Sequence, residues 1–332
     1  MRARSGAMDY QVIATLGPSS DGDLVWRAML AAGATGFRLN TSHLSLAQLA
    51  SWVGRLDRFL ATQETARPLI LDLQGSKWRL GQFCERVLVE GERVTLVCAA
   101  SSDRPDALPV PHPDFFRAAA ASSGEIVLDD AKLRLVLETQ GREALCARVV
   151  AGGAIRPRKG ITYTASAHRQ ESLGENDRAV LCCTRRMVGV RYAVSYVKDA
   201  VEMGHYREQI GSTAHLIAKL ERGPALAEAA GIAESADELW LCRGDLGAEL
   251  GAKAMAETVH GFSATVRAMP VPVLLAGQVF EHMTEHAAPT RSELCFAYDA
   301  LADGYGGFVL SDETAIGRNP VASCRAAALF RG

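Results

Sequence analysis

The chain has 332 residues, 48% of them hydrophobic, with 36 Lys and Arg against 38 Asp and Glu. That length supports one large domain or one domain carrying an insertion, and the apolar share supports a full core. The near balance of charge gives no electrostatic case for nucleic acid or an anionic membrane as partner, and every apolar stretch falls far short of a membrane span. The opening "MRARSGAMDYQVIATLG" has no apolar core of signal-peptide length, so a cytoplasmic setting is expected. Eight cysteines lack any C-x-x-C spacing and are expected to be reduced core thiols.

The elements repeat one theme: a short apolar run, a polar or glycine stop, then an amphipathic stretch. Residues 11–17 predict a strand and 22–32 a helix; 33–40 a strand and 44–61 a helix; 68–75 a third strand. The pattern resumes with a helix over 174–188 and strands over 191–197, 215–221, 238–244, 271–277 and 307–313. Eight βα units argue for an α/β fold of the (β/α)8 barrel type, since no G-x-G-x-x-G follows the first strand. Between them, residues 82–172 alternate polar and apolar with turn signals. This segment is expected to be a small all-β lid domain inserted after strand three, with 1–81 and 173–332 forming the catalytic barrel.

Polar residues gather at the C-terminal ends of the strands, where barrels of this type carry their sites. Arg38, Asn40 and Ser42 follow strand two at period two, which predicts one shared face. Asp72 interrupts strand three, Lys219 and Glu221 end strand five, Arg243 to Asp245 end strand six, and Ser311 and Glu313 end strand eight. Charges at the mouths of apolar strands are costly as mere core. Glu221 and Asp245 supply hard oxygens suited to Mg²⁺ or Mn²⁺, while Arg38 and Lys219 suit anionic oxygens. Such a set equips phosphoryl transfer or enolate chemistry.

The segments "TLGPSS" (15–20), "RLNTSH" (38–43), "LDLQGSKWRLG" (71–81), "RKG" (158–160), "AKLER" (218–222), "CRGDLGAELG" (242–251) and "LSDETAIGRNPV" (310–321) carry a resemblance along nearly the whole chain. In this order they resemble the pyruvate kinase family. The resemblance implies that Glu221 and Asp245 hold the divalent metal and that Lys219 touches the phosphoryl group in flight. It implies that the Gly244 and Asp245 amides receive the substrate carboxylate, with Arg243 and Gly277 on the substrate side. Arg38, Asn40 and Arg79 fall to the nucleotide phosphates, with Lys159 reaching them from the lid. Thr15, Pro18 and His43 lie near the nucleotide base and ribose, and Ser311 belongs to the hydroxyl and water network that protonates the enolate. ADP or ATP is the implied co-substrate.

Three departures qualify that picture. The family usually has Glu where this chain has Lys77, beside Asn40, Ser42 and Asp72, which match a site for potassium. A tethered ammonium can take the place of that ion, so no potassium requirement is expected. The family's C-terminal domain, which carries its sugar-phosphate effector site, has no counterpart in this sequence, so that allostery is not expected; a homodimer through the barrel stays open. The family reads Ala-Thr-Gln-Met where this chain reads Ala276-Gly277-Gln278-Val279, and Asp312 replaces a Gly. Restoring Thr at 277 is expected to raise activity with phosphoenolpyruvate if the site still serves it. The readings are then a phosphotransferase with phosphoenolpyruvate and pyruvate by default, or an ATP-dependent kinase of another small carboxylate. A metal-dependent C–C lyase or a catalytically silent regulator stand behind them. The lid lysine argues against the lyase, and intact Lys219, Glu221 and Asp245 argue against silence.

Overall fold

A computed structural model describes residues 8–120, 124–129, 132–139, 141–163 and 173–332. Its strands run β1 (Gln11–Thr15), β2 (Gly36–Asn40), β3 (Leu69–Leu73), β4 (Trp78–Arg79), β5 (Arg86–Leu88), β6 (Arg93–Val97), β7 (Ala107–Pro109), β8 (Glu125–Leu128) and β9 (Leu133–Thr139). They continue as β10 (Ala144–Ala151), β11 (Gly153–Ile155), β12 (Gly160–Tyr163), β13 (Val190–Val194), β14 (His215–Leu220), β15 (Glu238–Cys242), β16 (Val273–Ala276) and β17 (Gly307–Leu310). The helices are α1 (Asp23–Ala31), α2 (Leu46–Ala61), α3 (Pro113–Ala120), α4 (Glu175–Thr184), α5 (Ala200–Ile210), α6 (Gly223–Ala227), α7 (Ala229–Ala233), α8 (Arg243–Ser263), α9 (Arg291–Asp303), α10 (Asp312–Ala315) and α11 (Pro320–Ala327).

Eight parallel strands close into a barrel in the order β1, β17, β16, β15, β14, β13, β3, β2. Closure is made by β1 on β17, with Gln11 opposite Gly307 and Ala14 opposite Leu310. Ile13, Ile70, Ile217, Trp240, Leu274 and Val309 fill the interior, so the barrel is a packed core with its chemistry confined to the rims. A second apolar layer lies between strands and helices. Helix α2 illustrates the local logic: Ser45 and Gln48 form a reciprocal cap, and Leu49, Val53, Leu56 and Phe59 bury one stripe.

The inserted unit is a seven-stranded sheet, β4-β12-β8-β9-β10-β6-β7, beside a two-stranded β11-β5 ribbon. It has its own core, and it is not all β: α3 seals that core with Phe115 and Phe116. The adjacent Phe115 and Phe116 lie in a segment whose turns read as β. Trp78–Arg79 pairs with β12, so this sheet begins ahead of residue 82.

Two expectations need correction. The eight cysteines are free thiols, yet only Cys242 and Cys324 are buried, while Cys84, Cys182, Cys183 and Cys295 are exposed. The period-two run past β2 stops at Asn40, because Thr41–His43 forms a 3-10 turn in which the Ser42 amide donates to Asn40 Oδ1 at 3.2 Å. Among the described residues, no helix is long and apolar enough to cross a membrane.

Candidate active site

The C-terminal rim holds a cluster of buried charge. Asp72, in the last turn of β3's pleat, is 2% exposed, and such a carboxylate needs partners. Arg38 on β2 supplies a fork: Nε donates to Asp72 Oδ2 at 2.8 Å, and Nη2 donates to the same oxygen. Lys219 on β14 donates to Asp72 Oδ2 at 3.1 Å, and Ser195 Oγ donates to Oδ1 at 3.0 Å. Burial by itself pushes the Asp72 carboxyl up, but Lys219 and Arg38 outweigh it and hold the group well below the usual carboxylate range. The same pairing works on Lys219: burial favours the neutral amine, while Asp72 and Glu221 raise its pKa and keep the ammonium charged.

Glu221 ends the same strand-to-loop passage. Its Oε1 lies 3.1 Å from Lys219 Nζ, and its Oε2 accepts the Tyr196 amide at 2.7 Å. Tyr196 reaches this pose with φ at +65°, a conformation rare for a bulky residue. Ser76 Oγ donates to the Tyr196 carbonyl at 3.0 Å, and the Arg222 guanidinium sits 4.6 Å over its ring. Residue identity at 196 gives no sign that its main chain aims a carboxylate.

Asp245 lies in the first turn of α8, not at a strand end, because β15 stops at Cys242. Both its oxygens accept from Lys77 Nζ, each at 2.6 Å. Lys77 reaches across through a gap in the inserted sheet: a Cβ on Gly160 would come within 2.4 Å of Lys77 Cε. The loop carrying Lys77 is anchored by buried Asp177 of α4, which accepts the Gln74 and Gly75 amides at 2.9 and 3.0 Å. The ammonium therefore stands on Asp245, in a cavity of about 150 Å³ that it shares with Asn40, Asp72 and Ser195.

That cavity also gathers Arg38, Arg79, Lys159, Lys219 and Glu221. Lys159 reaches it from the inserted sheet, paired with Asp129 at 2.7 Å. A smaller adjoining cavity of about 110 Å³ shares Arg38, Lys219, Glu221 and Asp245 and adds Gly244, Gly277 and Ser311. Thr15 and Pro18 line neither. The Thr15 hydroxyl accepts from Arg38 Nη1 at 2.7 Å and donates to Leu310 O at 2.6 Å, which makes it a brace for the arginine. Pro18 opens an exposed 3-10 turn. The His43 side chain lies outside the described residues.

Gly277 is held by its neighbours. Arg243 donates through Nε and Nη2 to the Gly277 carbonyl at 3.1 and 2.7 Å, and through Nη2 to the Gln278 carbonyl at 2.8 Å. The Gly277 φ is +79°, and a Cβ there would sit 3.3 Å from the Arg243 and Gly244 amide nitrogens. Those two amides open α8 and have no acceptor inside the helix. A side chain at 277 would thus be strained and would cover the N–H groups that can receive an anion. A threonine at this position would have to shift the backbone from its present φ or press on those two amides. Gly244, Gly277 and Ser311 also face a larger cavity of about 680 Å³ between barrel and inserted sheet, lined in part by Lys132, Arg134 and Glu249. The Ser311 amide donates to Glu313 Oε2 at 2.9 Å, and burial raises the Glu313 pKa.

Glu221 and Asp245 offer oxygen donors, and one of them already embraces a cation, the Lys77 ammonium. No cluster of three His, Cys, Asp or Glu suited to a metal occurs among the described residues. A hard ion such as Mg²⁺, which takes one or two carboxylates and fills its shell with water and substrate oxygens, fits this donor set; a zinc-type cage does not.

Comparison with known proteins follows the same line. Residues 8–324 match the family described as pyruvate kinase, barrel domain. The chain is 31% identical over 315 residues to a pyruvate kinase of Methylorubrum extorquens, covering 94% of this chain and 65% of that protein. It is 30% identical over 323 residues to pyruvate kinase 2 of Synechocystis sp., covering 94% of this chain and 54% of that protein. A pyruvate kinase of Mycobacterium tuberculosis is 30% identical over 323 residues, covering 95% of this chain and 68% of that protein. The chain therefore spans between about half and two thirds of the length of these relatives.

Proposed function

This chain belongs to the pyruvate kinase family through its barrel domain, and on that premise we propose that it is a divalent-metal-dependent phosphotransferase. It moves a phosphoryl group between ADP or ATP and a small enol or hydroxy carboxylate, with phosphoenolpyruvate and pyruvate as the default pair. The observation that carries the reading is Lys219, held charged between Asp72 and Glu221 at 3.1 Å from each and open to the cavity. A fixed ammonium at that point meets the charge on a transferring phosphoryl group without reorganising. Arg38, braced by Asp72 and Thr15, presents its remaining N–H groups beside it. The uncovered amides of Arg243 and Gly244 receive the carboxylate, and the Ser311 hydroxyl lies on the same cavity to pass a proton to the carbon of an enolate. Mg²⁺ or Mn²⁺ would be held by Glu221 and Asp245 and would neutralise phosphoryl oxygens.

Lys77 belongs to the same proposal. Its ammonium adds a fixed positive charge where a monovalent ion would otherwise be recruited, so turnover needs no potassium. A cytoplasmic setting and a nucleotide and small carboxylate as the binding partners complete the reading. The test is turnover of purified protein with Mg²⁺, phosphoenolpyruvate and ADP in potassium-free buffer, in the ordinary range of roughly 1–10³ s⁻¹. Absence of turnover, or a rise of roughly tenfold or more on adding potassium, would count against the respective halves.

A second reading is favoured by Gly277. With Gly244 it forms a wall without side chains between the catalytic cavity and the 680 Å³ cavity, so an acceptor longer than pyruvate has room to pass. ATP consumption with a panel of small hydroxy and keto acids separates this specialised kinase from the default.

A further inference from the structure

We propose that the N-terminal end of the barrel, opposite the catalytic rim, carries a binding site for a dianionic oxyanion: phosphate, or the phosphoryl group of a small metabolite. The site is a cavity of about 460 Å³ where the beginnings of β3, β13 and β14 meet, a size suited to a small ligand. Arg67 stands just ahead of β3, Arg185 just after α4, Arg191 within β13, and His215 opens β14. The barrel ladder sets Arg191 directly beside His215 and Val190 beside Leu69, which draws these groups together from distant parts of the chain. No Asp or Glu lines the cavity among the described residues.

The charges there are not used up by the fold. Arg67 and Arg185 make no ion pair or side-chain hydrogen bond among the described residues. Arg191 has a contact of 3.7 Å to Glu238, whose two oxygens already accept from Gln11 Nε2 at 2.9 Å and Trp240 Nε1 at 2.5 Å. The neighbouring Arg207 shows what a structural arginine looks like in the same place. It donates to the carbonyls of Ser235 and Ala214 at 3.1 and 2.6 Å and pairs with Asp237 at 2.7 Å. His215 adds the second observation: its Nε2 is buried and has no hydrogen-bond partner. Burial first, then the Arg191 guanidinium, lowers its pKa, so the ring stands neutral beside the cavity with an Nε2 that the fold leaves unpaired. A guanidinium fork with an imidazole N–H matches a tetrahedral oxyanion, and an anion relieves the repulsion among three like charges. The catalytic machinery does not touch this face, so the site would serve occupancy-dependent stability or regulation.

The experiment is NMR of the full-length, ¹⁵N-labelled chain, following the His215 ring signal, assigned by its loss in His215→Asn. Inorganic phosphate, inorganic sulfate and a sugar monophosphate are titrated in separate arms. The expected result is a saturable shift of that signal, weakened roughly tenfold or more in Arg67→Ala/Arg185→Ala, which keeps phosphoryl-transfer activity. Equal affinity for phosphate and the sugar monophosphate assigns the site to the free anion; tighter binding of the sugar monophosphate assigns it to a phosphorylated metabolite. A His215 signal that phosphate and the sugar monophosphate leave unmoved, or that shifts equally in the double variant, overturns the proposal. Should the double variant fail to fold, Arg185→Gln at an exposed position carries the same comparison.

Discussion

The two ends of this barrel hold the same kinds of cation in opposite states. At the C-terminal rim, Arg38, Lys77 and Lys219 are each held by a buried carboxylate, Asp72 or Asp245. At the N-terminal rim, Arg67 and Arg185 face a cavity with no carboxylate among the described residues. The difference separates two uses of positive charge. Where carboxylates fix the cations, the charges are positioned before any ligand arrives. Where carboxylates are missing, the counter-charge has to come from solution.

The largest expected effect breaks the fixed end. Lys219→Met should lower turnover roughly 10²- to 10³-fold. It should also cost about 3–5 kcal/mol of stability by leaving Glu221 and part of Asp72 uncompensated, measured by steady-state kinetics and urea unfolding. Lys219→Arg, keeping the charge, should recover most of the stability but little of the turnover. A variant with unchanged stability would mean that the pairing described for this rim is not formed.

Next comes Gly277→Thr. The positive φ should cost about 1–2 kcal/mol, and activity should fall because the Arg243 and Gly244 amides are covered. The check is the unfolding midpoint together with KM for the carboxylate. A rise in phosphoenolpyruvate turnover would show that the backbone at 277 adapts and would restore the opposite expectation.

Lys77→Glu should sharpen the comparison by emptying one cation from the fixed rim. Turnover in potassium-free buffer should drop roughly tenfold or more and return on adding potassium. Gly160→Ala should produce part of the same effect, since its methyl would push against Lys77 Cε.

The smallest effect is on pH. Asp72 has a depressed pKa, so its pairing stabilises the fold above the ordinary carboxylate pKa, and the contribution is lost as pH falls through the lower folded value. The part of the acid destabilisation owed to this group should appear only below about pH 4, and Asp72→Asn should remove it. A loss assigned to Asp72 near pH 6 would contradict the Arg38 and Lys219 pairing.

Much of the fixed rim was legible in the sequence. Strand runs with a polar residue at the C-terminal end announce a barrel mouth, and Asp72, Lys219 and Glu221 could be picked out by that rule alone. Boundaries were less clear: Arg243 to Asp245 read as strand because the apolar run of β15 gives no sign of where the helix begins. What stayed hidden depends on contacts between distant segments. The Lys77 to Asp245 pair spans 168 positions, and no local period encodes it. The Tyr196 main chain aims Glu221 through a backbone angle that residue identity does not announce. The basic cavity is assembled from strand beginnings, where arginines read singly as solvated ends. The exposed cysteines escaped because composition reports hydrophobicity and not address.

Lys77 lies just ahead of β4, and Gly160, whose missing side chain lets it pass, lies opposite Arg79 in the pairing of β4 with β12. Among the described residues, the start of the inserted sheet therefore lies beside the place where an ammonium rests on Asp245. The segment that opens the sheet thus also supplies a charge to the rim, and cutting it away would take from Asp245 the cation from which both of its oxygens accept.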